Sequence, residues 1–241
     1  MKFNTLALTL ILALSFTSAK AQNIVLNPGF ETGIATDVGV YPAPDWTPTP
    51  SASGSYYYVG NEEPNTGLNE VDFGSQSGQF DYISQTLSTV IGTTYDVSFF
   101  VSVSNVTDCS GDQAATPSNE LIANIGGSLG AANGTTAGGA TNYITGGTTL
   151  ADIVNSTDTP YTEYTGTFTA VDTSTNLIFG GYNGPDFDYL DDISVTAQTG
   201  GGNITTNAVP EPSQYGLMLL AAVALVIRKR LSVRLRSLAL I

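Results

Sequence analysis

The chain has 241 residues with 21 acidic and seven basic side chains, no histidine and one cysteine, for a formal net charge of −14. All seven cations, Lys2, Lys20, Arg228, Lys229, Arg230, Arg234 and Arg236, lie at the two ends, so residues 21–227 hold every acid and no base. Such a stretch repels phosphate backbones and excludes nucleic acid as a partner; without histidine it also lacks the usual general base, the usual zinc ligand and every Ser-His or Cys-His nucleophile pair.

Residues 1–21 read as a secretory signal: a cationic Lys2, an apolar run from Leu6 to Leu14, and Ala19-Lys20-Ala21 as a small-x-small cleavage site that makes Gln22 the mature N-terminus. Residues 22–198 then carry short runs rich in β-branched and aromatic residues between Gly, Asn, Pro and Ser. These runs are Ser55 to Val59, Gln79 to Leu87, Thr93 to Val103, Glu120 to Ile125, Thr162 to Ala170, Asn176 to Gly180 and Phe187 to Thr196. Tyr95, Val97, Phe99, Val101 and Val103 share one parity, which predicts an all-β antiparallel sandwich with that side inward.

Between these runs, Glu70-Val71-Asp72-Phe73 would put Glu70 and Asp72 on one face of a strand, and it resembles the start of the E-x-D-x-x-E strand of jelly-roll glucanases. Gly74 and Ser75 follow, so the second glutamate is missing and a two-carboxylate glycoside hydrolase lacks its acid/base partner. The domain is therefore read as non-enzymatic. The lone Cys109 has no intrachain partner and no neighbouring cation to activate it, and Asp108 to Asp112 lacks the glycine and glutamate of a calcium loop. Gly126 to Gly147 holds eight glycines in 22 residues and predicts a long mobile loop.

In the last run Phe187, Tyr189, Ile193 and Val195 share a parity, with Asp186, Asp188, Asp192 and Ser194 on the outward side. Asp191 falls on the apolar side, where an unpaired carboxylate is costly and the domain has no Arg or Lys to offer. A hard cation held by carboxylates and carbonyls would satisfy it, and so would backbone N–H groups or water at a strand end.

Asn27-Pro28-Gly29-Phe30-Glu31-Thr32-Gly33 and Leu190-Asp191-Asp192-Ile193-Ser194-Val195 together resemble the galactose-binding-like jelly-roll modules, among which are many carbohydrate-binding domains. The resemblance implies a polysaccharide ligand and a structural calcium ion joining Glu31 to Asp191, with Asp192 beside them. Trp46, Tyr57 and Tyr82 are candidate aromatic platforms for sugar rings, as are Tyr143 and Tyr182, with Asn183, Asn61 and Asn65 as hydrogen-bonding partners. Similar modules bury a tryptophan at the position of Trp46, so core packing competes with ligand contact there.

Residues 199–208 form a Gly-rich linker. Val209-Pro210-Glu211-Pro212 follows, then an apolar stretch, Ser213 to Ile227, and the basic cluster Arg228-Lys229-Arg230. As a helix that stretch is a short membrane span, and the basic cluster places its far end in the cytoplasm. The order V-P-E-P, span, R-K-R resembles the PEP-CTERM sorting signal of exported bacterial proteins. It implies recognition by an exosortase-type processing enzyme, transient residence in the inner membrane, and delivery to the cell surface or extracellular matrix. Residues 231–241 make a cytoplasmic tail longer than that signal usually carries.

Overall fold

The computed structural model describes residues 21–32, 43–49, 57–74, 80–104, 118–184 and 186–198. They form strands β1 (Thr47–Thr49), β2 (Tyr57–Gly60), β3 (Glu70–Phe73), β4 (Asp81–Ser88), β5 (Thr94–Val103), β6 (Asn119–Ile125), β7 (Ser128–Leu129), β8 (Ile144–Thr145), β9 (Thr148–Val154), β10 (Thr159–Thr169), β11 (Ser174–Asn183) and β12 (Asp188–Ala197). One sheet has the order β1-β4-β11-β6-β9 and the other β10-β5-β12-β3-β2, all pairs antiparallel.

Within these sheets, β3-β12-β5-β10 faces β4-β11-β6-β9, and from β3 to β6 and again from β9 to β12 the chain changes sheet at each successive strand. That exchange is the double Greek key of a jelly roll. The two inner faces meet in one core: Val97, Phe99 and Val101 of β5 and Val71 and Phe73 of β3 pack against Leu121 of β6 and Leu177 and Phe179 of β11. Each of the seven runs expected from alternation holds a strand.

The N-terminus closes onto the last strand. Asn23 accepts the Val195 N–H through Oδ1 at 2.8 Å and donates to the Ile193 carbonyl at 2.9 Å, while the Ile24 N–H bonds the Val195 carbonyl at 2.9 Å. Asn27-Pro28-Gly29-Phe30 then turns sharply, with Asn27 at φ 47° and Phe30 at φ 57°. A positive φ is costly for a bulky side chain, and full burial of Phe30 against Trp46 holds it there.

Two expectations are corrected. The single parity assumed for Phe187 to Val195 breaks inside β12: Asp191 pairs with Phe100 but Ser194 pairs with Ser98, so Asp192 and Ile193 both stand opposite Phe99. Asp192, at φ 49°, is the bulged residue. Before the bulge Leu190 faces the core, and after it Ile193 and Val195 do. Asp188 therefore points inward rather than outward and is fully buried, while Asp191 faces the outer side of its sheet.

The segment from Gly126 to Gly147 is not an unstructured loop. It holds the β7–β8 hairpin, extended by bonds such as Asn133 N–H to Asn142 C=O at 2.7 Å and Thr136 N–H to Ala140 C=O at 2.9 Å. Its Ala140 and Ile144 cover a second apolar cluster with Phe80, Tyr82, Ile122, Ile178 and Tyr182, on the outer face of the β4-β11-β6 sheet. Gly-rich composition concealed a segment ordered by what lies beneath it.

Candidate functional site

The outer face of the other sheet carries Glu70, Asp72 and Asp191. Because Val71 and Phe73 face the core, Glu70 and Asp72 point to the opposite side of β3, as their alternation requires. The chain from Asn61 to Asn69 arches over this face, and its main-chain amides are taken up in pairs. Glu70 Oε1 accepts the N–H groups of Glu62 and Glu63 at 3.0 and 3.2 Å. Asp191 Oδ2 accepts those of Asn65 and Thr66 at 2.9 and 3.1 Å, and Glu31 Oε1 those of Leu68 and Asn69 at 2.8 and 3.2 Å. Three side chains distant in sequence thus hold one loop by six amides.

Glu31, Asp191 and Asp192, the expected calcium ligands, do come together here. Of their oxygens, all but Glu31 Oε2 accept hydrogen bonds in the described residues. Besides the bonds above, Asp191 Oδ1 accepts the Asp192 N–H at 2.7 Å, and Asp192 accepts Asn65 Nδ2 at 2.8 Å and Thr66 Oγ1 at 2.7 Å. Among the described residues no three Asp, Glu, His or Cys side chains converge in a group that could hold a metal ion. Loop amides already meet part of the need that a cation was invoked to meet at these three residues. Burial still pushes Asp191 up to about 7, the amides of Thr66 and Asp192 pulling the other way.

Asp72 has no such amides. It is 1% exposed, and no donor meets either of its carboxylate oxygens at full hydrogen-bond geometry, the Tyr58 hydroxyl standing only near enough to favour its charged form. Burial, then the charge of Glu70, pushes it up to about 9, with the Tyr58 side chain opposing. Glu70 is raised by burial too, against the amides of Glu63 and Glu62. The same low-dielectric setting raises the phenols of Tyr161 and Tyr189. At the sandwich's end, Asp188 is raised well above the ordinary range by burial, and Asn183 Nδ2 donates to its Oδ1 at 3.1 Å.

Further along the same outer face, β10, β5 and β12 present only short polar side chains. The register aligns Thr165, Ser98 and Ser194 in one row and Thr167, Asp96 and Thr196 in the next. Rows two residues apart along a strand lie about 6.7 Å apart, and neighbouring strands about 4.8 Å. These six side chains line a concavity of about 290 Å³. Asp96 Oδ1 accepts Gln198 Nε2 at 2.6 Å.

The aromatic platforms are corrected by burial. Trp46 packs between Phe30 and Phe179 and donates Nε1 to the Asn27 carbonyl at 3.2 Å. Tyr57 stacks on Phe73 inside the core, and Tyr82 stacks on Phe80 under the hairpin. Asn183 directs Nδ2 to Ser104 C=O and Asp188. None of the four offers a face to a ligand. The exposed polar grid was not singled out, since isolated Ser and Thr carry no signal until strand pairing aligns them.

The signal segment, Cys109 and residues 199–241, with the Val209-Pro210-Glu211-Pro212 motif and Arg228-Lys229-Arg230, lie outside the described residues. Among the described residues no helix is long and apolar enough to cross a membrane.

No protein-family model and no curated protein matches the chain. Among solved structures it is similar to a family 61 carbohydrate-binding module in complex with β-1,4-galactotriose, with TM-score 0.47 and 14% identity over 74% of this chain and 100% of that one. It is also similar to a family 22 xylan-binding domain, with TM-score 0.44 and 10% identity over 75% and 96% of the two chains. A xylan-binding domain from Paenibacillus barcinonensis gives TM-score 0.38 and 16% identity over 75% and 97%. The jelly-roll assignment stands on the strand pairing itself.

Proposed function

We propose that the chain is an exported, non-enzymatic protein of the cell surface or extracellular matrix whose sandwich binds a neutral polysaccharide. The observation that carries the binding reading is the grid of Thr165, Ser98, Ser194, Thr167, Asp96 and Thr196, five hydroxyls and one carboxylate on a rigid sheet. Hydroxyls at these spacings can exchange hydrogen bonds with several sugar hydroxyls at once, and the absence of any cation in residues 21–227 disfavours uronic or sulfated chains. The module named above with bound galactotriose and the xylan-binding domains are in keeping with a carbohydrate ligand. The non-enzymatic reading is supported by Glu70 and Asp72, which are 0% and 1% exposed beneath the Asn61–Asn69 arch and so are closed to a glycosidic bond.

Delivery follows from the ends of the chain: a secretory signal, then the V-P-E-P motif, span and basic cluster on which an exosortase-type enzyme would act at the inner membrane. Retention of the purified full chain on neutral polysaccharide from the producing organism, at least tenfold weakened by Ser98→Glu with Thr165→Glu, is the expected result. Equal elution of wild type and double variant across neutral and acidic glycans would instead make it a structural matrix component. For sorting, mass spectrometry of the cell-derived protein should find a mature C-terminus near Pro212; intact peptides from Leu231 onward in the surface form would overturn that route.

A further inference from the structure

The charge problem posed by an unmatched carboxylate is real in this domain, but it sits at Asp72. Asp191, Asp192 and Glu31 are met by the arch, whereas Asp72 Oδ1 and Oδ2, Glu70 Oε2 and Tyr161 Oη are buried and accept or donate no hydrogen bond. The two carboxylates converge over Gly60: a Cβ there would collide with Asp72 Oδ2 and stand 2.7 Å from Glu70 Oε1. Glycine alone leaves that space open. Asp191, Glu62 and Glu63 add negative potential around the same point. No Lys, Arg or His exists between residues 21 and 227 to compensate it. A carboxylate removed from water beside a second that has donors on only one oxygen is among the costliest arrangements a fold can hold.

We propose that Asp72 and Glu70 form the core of a buried site for a hard divalent cation of the Ca²⁺ or Mg²⁺ kind, roofed by the Asn61–Asn69 arch. The donors are all oxygen, with no thiolate or imidazole to favour softer metals, and two carboxylates match a charge of two. A third carboxylate is not required, since hard cations accept neutral main-chain and water oxygens as well. This site is separate from the Glu31, Asp191 and Asp192 group, and it does not depend on whether the polar grid binds a glycan.

The test uses the full chain in detergent, freed of metal by chelation and titrated with Tb³⁺, whose emission nearby tyrosines sensitise, and with Ca²⁺ or Mg²⁺ in competition and in thermal melts. Sensitised emission and a metal-dependent rise in Tm are expected for wild type and for Glu31→Gln. Affinity should fall at least tenfold in Asp72→Asn, which melts cooperatively because an amide replaces an unpaired acid of the same shape. Absence of emission and of any Tm shift in wild type overturns the site, as does wild-type affinity in Asp72→Asn. Loss in Glu31→Gln alone moves the cation to the N-terminal motif and equally overturns it. Should Asp72→Asn not fold, Glu70→Gln decides: weaker binding supports the assignment and unchanged binding refutes it.

Discussion

The carboxylate of Glu31 fills the space that a side chain at position 67 would need. A Cβ at Gly67 would collide with Glu31 Oε1, and Gly67 itself lies at φ +74°, where only glycine is unstrained. Gly67→Ala should therefore cost about 1–3 kcal/mol and release the Leu68 and Asn69 amides. Urea titration and amide exchange across Asn65–Asn69 would check this; wild-type stability and protection in the variant would show that the arch does not depend on that contact.

Trp46 is the only tryptophan of the chain and 5% exposed. Trp46→Ala removes the ring between Phe30 and Phe179 and should destabilise by about 3–5 kcal/mol. In the wild type its fluorescence should be blue-shifted in the native state and move to the red in the same transition that abolishes near-ultraviolet dichroism. An emission maximum typical of exposed indole before unfolding would contradict the packing.

The pH dependence should run opposite to the usual acid lability. Glu70, Asp72, Glu120, Asp188 and Asp191 are all raised, burial first in each case. A raised carboxyl keeps a proton in the folded chain that the unfolded chain releases, so its favourable effect is complete at low pH and fades as pH climbs from about 4 toward the folded value. For Asp191 that window closes near 7. In chelator, Tm should rise from pH 8 to pH 5, and Asp188→Asn should flatten part of the slope. A Tm that falls on acidification across this range would contradict the assignment.

The β7–β8 hairpin is fastened at Glu120, where Oε2 accepts Thr136 Oγ1 at 2.6 Å beneath a fully buried carboxyl. Thr136→Val should cost about 1–3 kcal/mol by leaving that oxygen short of a donor. Proteolysis between Gly130 and Ala140 should accelerate without loss of the sandwich. Unchanged cleavage would mean that the apolar cover over Tyr82 and Tyr182 suffices.

How much of this was legible beforehand depends on which layer carried the information. β5 could be read because every second residue from Tyr95 to Val103 is apolar and faces one core. The strand β9 was missed because Thr148–Val154 is half-exposed throughout and shifts register opposite Ala123 and Asn124, which blurs its alternation. Asp191 illustrates a different limit: its burial was anticipated from parity, but the bulge at Asp192 had already reversed the parity, and the arch rather than the core encloses it. Its burial was reached through a face it does not occupy. Asp72, flanked by Val71 and Phe73, gave no hint that its neighbours across the sheet would all be acids or phenols, because strand pairing, not local sequence, put them there.

The clasp between Asn23 and the last strand bears on how the domain would carry a mechanical load. The chain leaves through β12, which is hydrogen-bonded to β5 up to Ala197 and is gripped from the other side by Asn23 and Ile24. Tension applied beyond Gln198 along the axis of β12 would load these bonds together in shear instead of peeling them open one by one. A domain tethered at its C-terminal side in flowing surroundings would give way last at the point where it is held.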